Sequence, residues 1–250
     1  MGGAIALGLQ KGKLIPATNI TISDVSEITL NKFRSISSDW KLTTSNKDAI
    51  EGADIIIIAV KPWLVETIAD EIEKKIDYKK QILISIAAGV EIEKLKKLFD
   101  KEASIFRIIP NTAVEVLESV SSIAFYNAND EQVQLVKTIF DELGKTFVVN
   151  ESQLNAYMSL SSCGIAYAFR YIRAATEGGV EMGIYPNIAK EVVMQTLKGA
   201  ILLLEANQSH PEVEIDKVTT PGGITIKGLN EMEANGFSNS VIKGLKKSNV

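Results

Sequence analysis

The chain has 250 residues, of which 46% are hydrophobic, and a formal net charge of -4 at pH 7. This length and composition suffice to bury a core in one large or two modest domains. The slight negative charge argues against nucleic acid or an anionic membrane surface as a partner.

The cysteine content and the hydropathy of the chain indicate the cellular compartment in which we expect the protein. The single cysteine, Cys163, excludes an internal disulfide framework and fits a reducing compartment. The longest apolar run, Ile55 to Val60, is far shorter than the roughly 20 residues that a membrane helix needs. The N-terminus also lacks a signal-peptide pattern, so we expect a cytoplasmic protein.

The chain opens directly as a helix, MGGAIALGL. In a dinucleotide-binding fingerprint, a strand leads into a glycine-rich turn whose N–H groups hold the pyrophosphate. Gly2 and Gly3 stand where such a fingerprint ends, without the strand and the first glycines. We therefore expect a sheet that lacks its first strand, and an upstream coding sequence for a short apolar strand ending in a glycine-rich turn.

Residues 1–150 alternate strand and helix patterns, which predicts a parallel, doubly wound sheet of the Rossmann type. Asp24 follows the first of these strands, where an acid either binds a ribose hydroxyl or caps the next helix. The predicted strands are 20–22, 53–60, 81–86, 104–108 and 120–126, and the predicted helices are 26–36, 65–75, 91–99 and 131–143.

From residue 151 onward the pattern is helical. Helices are predicted at 151–161, 164–183, 187–207 and 223–247. The chain therefore divides into a dinucleotide-binding domain, 1–150, and an all-α domain, 151–250.

A proline–glycine turn, Thr219-Thr220-Pro221-Gly222-Gly223, interrupts the helical half. The turn leads into a helix whose first N–H groups favour an anion, and threonine hydroxyls at 219, 220 and 225 add donors. A small carboxylate suits such a place. The alternative is an ordinary connection between two helices.

Six segments, in order along nearly the whole chain, resemble motifs of the pyrroline-5-carboxylate reductase family. These enzymes make proline by reducing a cyclic imine. The segments are MGGAIALGL (1–9), AVKP (59–62), SIAAGV (85–90), RIIPNT (107–112), SSCGIAY (161–167) and HPEVEIDKVTTPGGITIKGL (210–229). Three departures from the family pattern are Asn155, Ile165 and Ile224, where aspartate, proline and threonine are usual.

The resemblance implies a nicotinamide cofactor, NADP as NADPH, with NAD as NADH also accepted. Asn46 would contact its adenosine side, although Asn46 could instead cap a helix. Pro62 could simply start a helix, and Asn111 could bond neighbouring backbone beside the substrate cleft. The implied cofactor-binding residues are Met1, Gly2, Asp24, Asn46, Val60, Lys61, Pro62, Ala87, Ala88, Gly89 and Asn111.

For the substrate, the resemblance implies that N–H groups around Gly222, Gly223 and Ile224 hold the carboxylate. The hydroxyl of Thr225 would face the ring nitrogen as the catalytic group, with Thr220 also binding substrate. An iminium needs no protein acid, because its nitrogen arrives protonated, and this suits a chain whose only histidine, His210, lies in an exposed-looking turn. The resemblance also implies an interleaved helical homodimer, or a higher oligomer built from it, that places this loop opposite a nucleotide domain.

Two alternatives stay open. Reductases of the 3-hydroxyacid dehydrogenase type use a lysine on the first interdomain helix, whereas residues 163–183 contain Arg170 and Arg173 but no lysine. The second alternative is a non-catalytic relative, a helical dimer with a degenerate nucleotide domain. No metal site is predicted.

Overall fold

The computed structural model describes residues 1–249, which form two compact units that divide between Ser162 and Cys163. The sequence pattern placed the change near residue 150. The short helices at 151–162 follow the α/β unit because α7 packs against its sheet through buried Leu154.

The first unit alternates strands and helices, as its sequence predicts. Its elements are α1 (Gly2–Lys11), β1 (Thr21–Ser23), α2 (Glu27–Ile36), β2 (Lys41–Thr43), α3 (Asn46–Ile50), β3 (Ile55–Ile58), α4 (Val65–Ile72), β4 (Ile82–Ser85), α5 (Ile92–Leu98), β5 (Ser104–Ile109), β6 (Ser119–Tyr126), α6 (Asp130–Asp141), β7 (Gly144–Val148) and α7 (Leu154–Met158). A π-helical turn, Ser159–Cys163, follows α7.

The strands form two separate sheets. One is the parallel pair β1–β2, and the other has the order β3-β4-β5-β6-β7. Strands β1 and β3 do not pair with each other, so the described strands do not form one continuous doubly wound sheet, as expected without the first strand.

Pairing within the larger sheet is parallel from β3 to β5 and between β6 and β7. Strands β5 and β6 are antiparallel, which the alternating pattern did not predict. The connection at 110–118 is too short for a crossover helix, so β6 must return beside β5 in the opposite direction.

Helix α1 joins the parts of this unit. Its Ile5 and Leu9 pack in the same cluster as Ile84 and Phe106 of the larger sheet. On another side, its Ala6 packs with residues that include Phe33 of α2. Helix α1 therefore has a fixed position relative to the strands that carry the site.

Within residues 163–249, the second unit has five helices: α8 (Gly164–Glu181), α9 (Pro186–Asn207), α10 (Pro211–Val218), α11 (Ile224–Ala234) and α12 (Phe237–Ser248). Helix α10 was not predicted, and the predicted helix 223–247 is two helices. The helix is interrupted at Gly236, because its φ of 79° is a left-handed value that regular helix does not contain.

The second unit buries little of its own surface. Among residues 163–249, only Gly179 and Ala189 are buried. No helix within the described part of the chain is both long and apolar enough to cross a membrane.

Candidate active site

Three loops that carry predicted cofactor residues lie at one edge of the larger sheet. They follow β3, β4 and β5, which are parallel neighbours in that order. Ligands of open α/β sheets bind at this carboxyl edge. The loops are 59–62, 86–91 and 110–112, and they contain Val60, Lys61, Pro62, Ala87, Ala88, Gly89 and Asn111.

The N-terminus of α1 lies against the loop after β3. A Cβ added to Gly2 would be only 2.7 Å from Cβ of Ala59, so a larger residue at position 2 would push the helix away. Met1 is the N-cap residue, and no side chain caps the helix. The first N–H groups of α1 consequently remain available to an anion. The arrangement brings Met1 and Gly2 beside the AVKP segment.

In the loop after β3, Lys61 is exposed and Val60 is half-buried. Pro62 starts a short 3₁₀ turn, Pro62–Leu64, in which Leu64 N–H donates to the Lys61 carbonyl at 2.9 Å. The interpretation of Pro62 as a helix-starting residue is therefore confirmed. A contact with the cofactor is compatible with it and stays a prediction.

Asp24 and Asn46 follow the paired strands β1 and β2. Ser26 caps α2 and Ser45 caps α3, so the interpretation of Asp24 and Asn46 as the helix caps is wrong. Asp24 Oδ1 instead accepts a hydrogen bond from the Ser26 N–H at 2.8 Å.

The amide of Asn46 is held at both ends. Ser23 Oγ donates to Asn46 Oδ1 at 2.9 Å, and Asn46 Nδ2 donates to Oε2 of Glu71 at 2.7 Å. The carboxylate of Glu71 therefore lies beside Asn46, and the Asn46 Oδ1 has a fixed orientation. Sequence reasoning missed Glu71, since nothing in the α4 pattern marks it.

The loop between β4 and α5 combines buried and open positions. Ala87 and Val90 are buried, whereas Ala88 and Gly89 are exposed. Gly89 has a φ of 76°, and a Cβ added there would meet no atom within 4 Å. The backbone at Ala88 and Gly89 is thus accessible to a flat ring, as the cofactor prediction requires.

An ion pair between a buried arginine and a half-buried glutamate lies below these loops. Arg107 on β5 is 5% exposed, and its Nη1 donates to Glu151 Oε1 at 2.8 Å. The same oxygen accepts the N–H of Ile92, the first residue of α5, at 2.8 Å. Sequence reasoning missed this pair, although a charged residue within the apolar strand SIFRII was a visible signal.

The Pro110–Asn111 turn contacts the π-helical segment. Asn111 is buried, and its Oδ1 accepts the N–H of Ala113 at 3.0 Å. Ser162 Oγ donates to the Pro110 carbonyl at 3.0 Å. The interpretation of Asn111 as a partner of neighbouring backbone is confirmed, while its cofactor contact stays a prediction. Two motifs distant in sequence, RIIPNT and SSCGIAY, meet at this point.

The proline–glycine turn of the second unit is a type II turn. Gly223 N–H donates to the Thr220 carbonyl at 2.9 Å, and Gly222 at the third position has a φ of 70°. The N–H of Gly223 is therefore occupied within the turn. No side chain caps α11, whose first N–H groups belong to Ile224 and Thr225.

The three threonines of this region differ in their availability. Thr219 Oγ1 donates to the Ile215 carbonyl at 3.1 Å, so it closes the end of α10 and does not face the turn. Thr220 and Thr225 are exposed, and the side chain of Ile224 is 87% exposed. An anion at the start of α11 would meet N–H groups and the hydroxyls of Thr220 and Thr225.

His210 is the N-cap residue of α10, and its Nδ1 accepts a hydrogen bond from the N–H of Glu212 at 3.3 Å. Farther along the helix, hydrogen bonds from Lys217 and then Ser209 lower the pKa of Glu214 to about 2. These hydrogen bonds stabilise α10, which precedes the proline–glycine turn. The expectation of a surface role for His210 agrees with its exposure and its helix-capping bond.

Comparison with known proteins supplies the family. The pyrroline-5-carboxylate reductase 2 of Dictyostelium discoideum is 33% identical over 97% of this chain and 84% of its own length. The chain belongs to the pyrroline-5-carboxylate reductase family. A family model described as "Pyrroline-5-carboxylate reductase dimerisation" matches residues 151–249, and one described as "NADP oxidoreductase coenzyme F420-dependent" matches residues 1–89.

Other members of the pyrroline-5-carboxylate reductase family match closely as well. The reductase 1 of Dictyostelium discoideum is 37% identical over 98% of this chain, which spans 46% of that relative's length. The crystal structure of a Plasmodium falciparum pyrroline carboxylate reductase with NADP bound superposes with a TM-score of 0.89 at 27% identity, covering 100% of this chain and 92% of the other. The similarity therefore extends through both units.

Proposed function

We propose that this protein reduces 1-pyrroline-5-carboxylate to L-proline with NADPH or NADH, the last step of proline biosynthesis, in the cytoplasm. The observation that carries the proposal is the turn before α11, where free helix N–H groups adjoin the exposed Thr220 and Thr225. Such a turn binds a carboxylate without a charged side chain. Membership of the reductase family supplies the reaction.

In this proposal the N–H groups of Ile224 and Thr225 bind the substrate carboxylate. The N–H of Gly223, occupied by the Thr220 carbonyl, shapes the turn and does not bind substrate. The Thr225 hydroxyl accepts a hydrogen bond from the protonated ring nitrogen and orients the C=N bond. These contacts act through proximity and orientation.

The first unit fits a dinucleotide. Its α1 N-terminus approaches the strand edge closely at Gly2, and the loop after β4 offers exposed Ala88 and Gly89. NAD(P)H bound there would supply the hydride, which adds to the imine carbon while the bonding electrons pass to nitrogen. The protein needs no general acid, because the nitrogen already carries its proton.

The adenosine side bears on the choice between the two cofactors. Asp24 follows β1, and Glu71 is hydrogen-bonded to Asn46. A carboxylate at the ribose accepts a hydrogen bond from the 2′-hydroxyl of NADH, whereas it repels the 2′-phosphate of NADPH. We therefore expect substantial activity with NADH alongside NADPH.

The exposed surface of the second unit supports the proposal of a homodimer. Large apolar side chains are exposed on its helices, and large exposed apolar surfaces commonly mark protein–protein contacts. A second copy would cover them, as the match to a dimerisation model supports. The exposed side chains are Tyr167, Phe169, Tyr171, Val180, Met182, Ile184, Tyr185, Ile188, Val192, Met194, Ile201, Leu202, Leu203, Val213, Val218, Ile224, Met232, Phe237, Val241 and Ile242.

Thr225→Ala tests the substrate site by a spectrophotometric assay of pyrroline-5-carboxylate with NADPH and NADH. Losing a hydrogen bond to a charged group costs about 1.5–3 kcal/mol, so kcat/KM should fall roughly 10- to 150-fold. Thr225→Ser should keep most activity. Thr219→Ala is the matched control, because that hydroxyl only closes α10.

Three results would contradict the proposed function. One is turnover of 3-hydroxyacids but not of pyrroline-5-carboxylate, which would indicate the other reductase class. Another is failure to bind either nucleotide in calorimetry, which would indicate a non-catalytic relative. Equal losses in Thr225→Ala and Thr219→Ala would remove Thr225 from the site. Light scattering at micromolar concentration tests the dimer.

A further inference from the structure

We propose that Glu151 is a positioning residue that holds the β4–α5 loop, residues 86–91, in the shape the cofactor needs. The inference rests on the proposed function, in which Ala88 and Gly89 of this loop face the nicotinamide. Glu151 would not touch the cofactor. It would act through the backbone of Ile92, at the end of the loop, and through Arg107, below it.

The bond to Ile92 fixes the end of the loop. Helix α5 begins at Ile92 and has no side-chain cap of its own from Glu91. Glu151, distant in sequence, supplies the missing acceptor at 2.8 Å. A carboxylate at a helix N-terminus satisfies a free N–H group and interacts favourably with the helix dipole.

Ser85, which precedes the loop, lies on the strand beside Arg107. Ser85 ends β4, its Oγ accepts the Ala87 N–H at 3.4 Å, and it lies in register with Arg107 on β5. Arg107 donates to the oxygen of Glu151 that also binds Ile92. The ion pair therefore links Ile92, which follows the loop, to β5, the strand that pairs with β4 at Ser85.

Buried Ala87 and Val90 pack the loop into a hydrophobic cluster, and Glu151 adds a polar contact at the end of the loop. Within it, the Val90 N–H donates to the Ala87 carbonyl at 3.3 Å, and Gly89 has a left-handed φ that glycine adopts freely. Ala88 and Gly89 are exposed. The position of this exposed pair therefore depends on the two ends of the loop, and Glu151 supplies a side-chain hydrogen bond at one of them.

Arg107 makes this connection sensitive to charge. It is 5% exposed, and its Nε, also buried, has no hydrogen-bond partner. Removing Glu151 leaves a buried charge without its counter-ion, which drives Arg107 to rearrange. Since Arg107 lies beside Ser85, that rearrangement would reach the start of the loop too.

The test compares Glu151→Ala and Glu151→Gln with Glu142→Ala. Glu142 is a control, because its carboxylate, like that of Glu151, accepts backbone hydrogen bonds from residues distant in sequence, the N–H groups of Lys13 and Leu14 at 2.8 and 3.1 Å. Hydrogen exchange of the amides at 87–92 and calorimetric Kd values for NADPH and NADH are measured on the full chain. Steady-state kcat and KM for both cofactors complete the set.

We expect Glu151→Ala to speed exchange at Ile92 and to weaken both cofactors about tenfold, the effect of one lost charge-assisted hydrogen bond. Its kcat should fall by up to about 100-fold, since a displaced loop misplaces the ring. Glu151→Gln keeps an acceptor for Ile92 but not the counter-charge of Arg107, so it should restore only part of the slow exchange and cofactor affinity. Glu142→Ala should leave all three quantities near their original values.

A double variant, Arg107→Met with Glu151→Leu, separates positioning from stability. Apolar replacement of a buried ion pair often preserves stability, so its thermal midpoint should return towards that of the parent. Without an acceptor for Ile92, fast exchange and weak cofactor binding should persist. If this variant regained both binding and slow exchange, the role of Glu151 would be structural and the proposal would be overturned.

Two other results decide the matter. Exchange at 87–92 and Kd values in Glu151→Ala that match those in Glu142→Ala would overturn the proposal. If the parent binds nucleotide but does not reduce pyrroline-5-carboxylate, the proposed function fails. Loss of nucleotide affinity in Glu151→Ala would then still establish the positioning role.

Discussion

The turn before α11 depends on the backbone conformation of Gly222, which Gly222→Ala perturbs. Gly222 has a φ of 70°, and a Cβ added there would meet no atom within 4 Å. The cost of alanine is therefore purely conformational, about 1–2 kcal/mol for a left-handed residue. Nothing else in the protein needs to move.

That strain should appear in substrate affinity. If the turn relieves it by leaving its type II shape, the competent fraction falls and apparent affinity falls with it. At 1.4 kcal/mol per factor of ten, a cost of about 1–2 kcal/mol predicts a rise in KM for pyrroline-5-carboxylate of roughly 5- to 30-fold. KM for the nicotinamide cofactor, whose predicted residues belong to the first unit, should stay unchanged.

Gly236→Ala provides the matched control. Gly236 has a φ of 79°, also has no atom within 4 Å of an added Cβ, and precedes α12 instead of α11. Both variants should lose similar stability, about 2–4 °C in Tm per kcal/mol. Only Gly222→Ala should raise KM for the substrate. A similar rise in both variants, or an unchanged KM in Gly222→Ala, would refute the assignment of the turn to substrate binding.

Three further predictions concern other parts of the chain. Gly2→Ala should destabilise the protein by about 1–3 kcal/mol through overpacking on Ala59, measured by urea unfolding, and an unchanged midpoint would contradict the close approach of α1. Asp24→Asn should raise the ratio of kcat/KM for NADPH to that for NADH about fivefold or more, because about 1 kcal/mol of charge repulsion is removed, whereas a constant ratio would exclude Asp24 from the ribose site. The Glu214 carboxylate, whose folded pKa of about 2 lies below its ordinary 4.5, stabilises the fold above pH 4.5, and this contribution is lost as the pH falls through about 2. The Tm difference from Glu214→Gln should therefore shrink steadily as the pH falls from 4.5 to 2, and a difference at pH 2 as large as that at pH 7 would argue against the ion pair.

Local sequence determined the elements whose signals are strong over a few residues. The runs IIIIAV and QILISI became β3 and β4 because strands covered on both faces select apolar, often β-branched residues. The type II turn before α11 followed from Pro221 and Gly222, since proline presets one φ and glycine permits the next. The motifs also placed the loops with the predicted cofactor residues at strand ends, which share one edge in a parallel sheet.

Tertiary structure alone decided the weaker elements. Strand β7, Gly144–Val148, is an edge strand with mostly exposed residues, and only its pairing with β6 makes it regular. The short β2 likewise depends on pairing with β1. Helix α10 begins with a cap from His210, a residue type whose capping role the pattern did not indicate.

Some features of the candidate site depend on neighbouring residues in the sequence, and others depend on contacts between distant residues. The amino-acid sequence by itself determined the family resemblance, the alternation of strands and helices, and the proline–glycine turn, because each depends on neighbouring residues. It did not determine that Glu71 holds Asn46 or that Glu151 serves both Arg107 and Ile92. Those partners are far apart along the chain, and only the folding of β5, α5 and α7 around one sheet brings the carboxylate of Glu151 to a buried arginine and a free helix N–H.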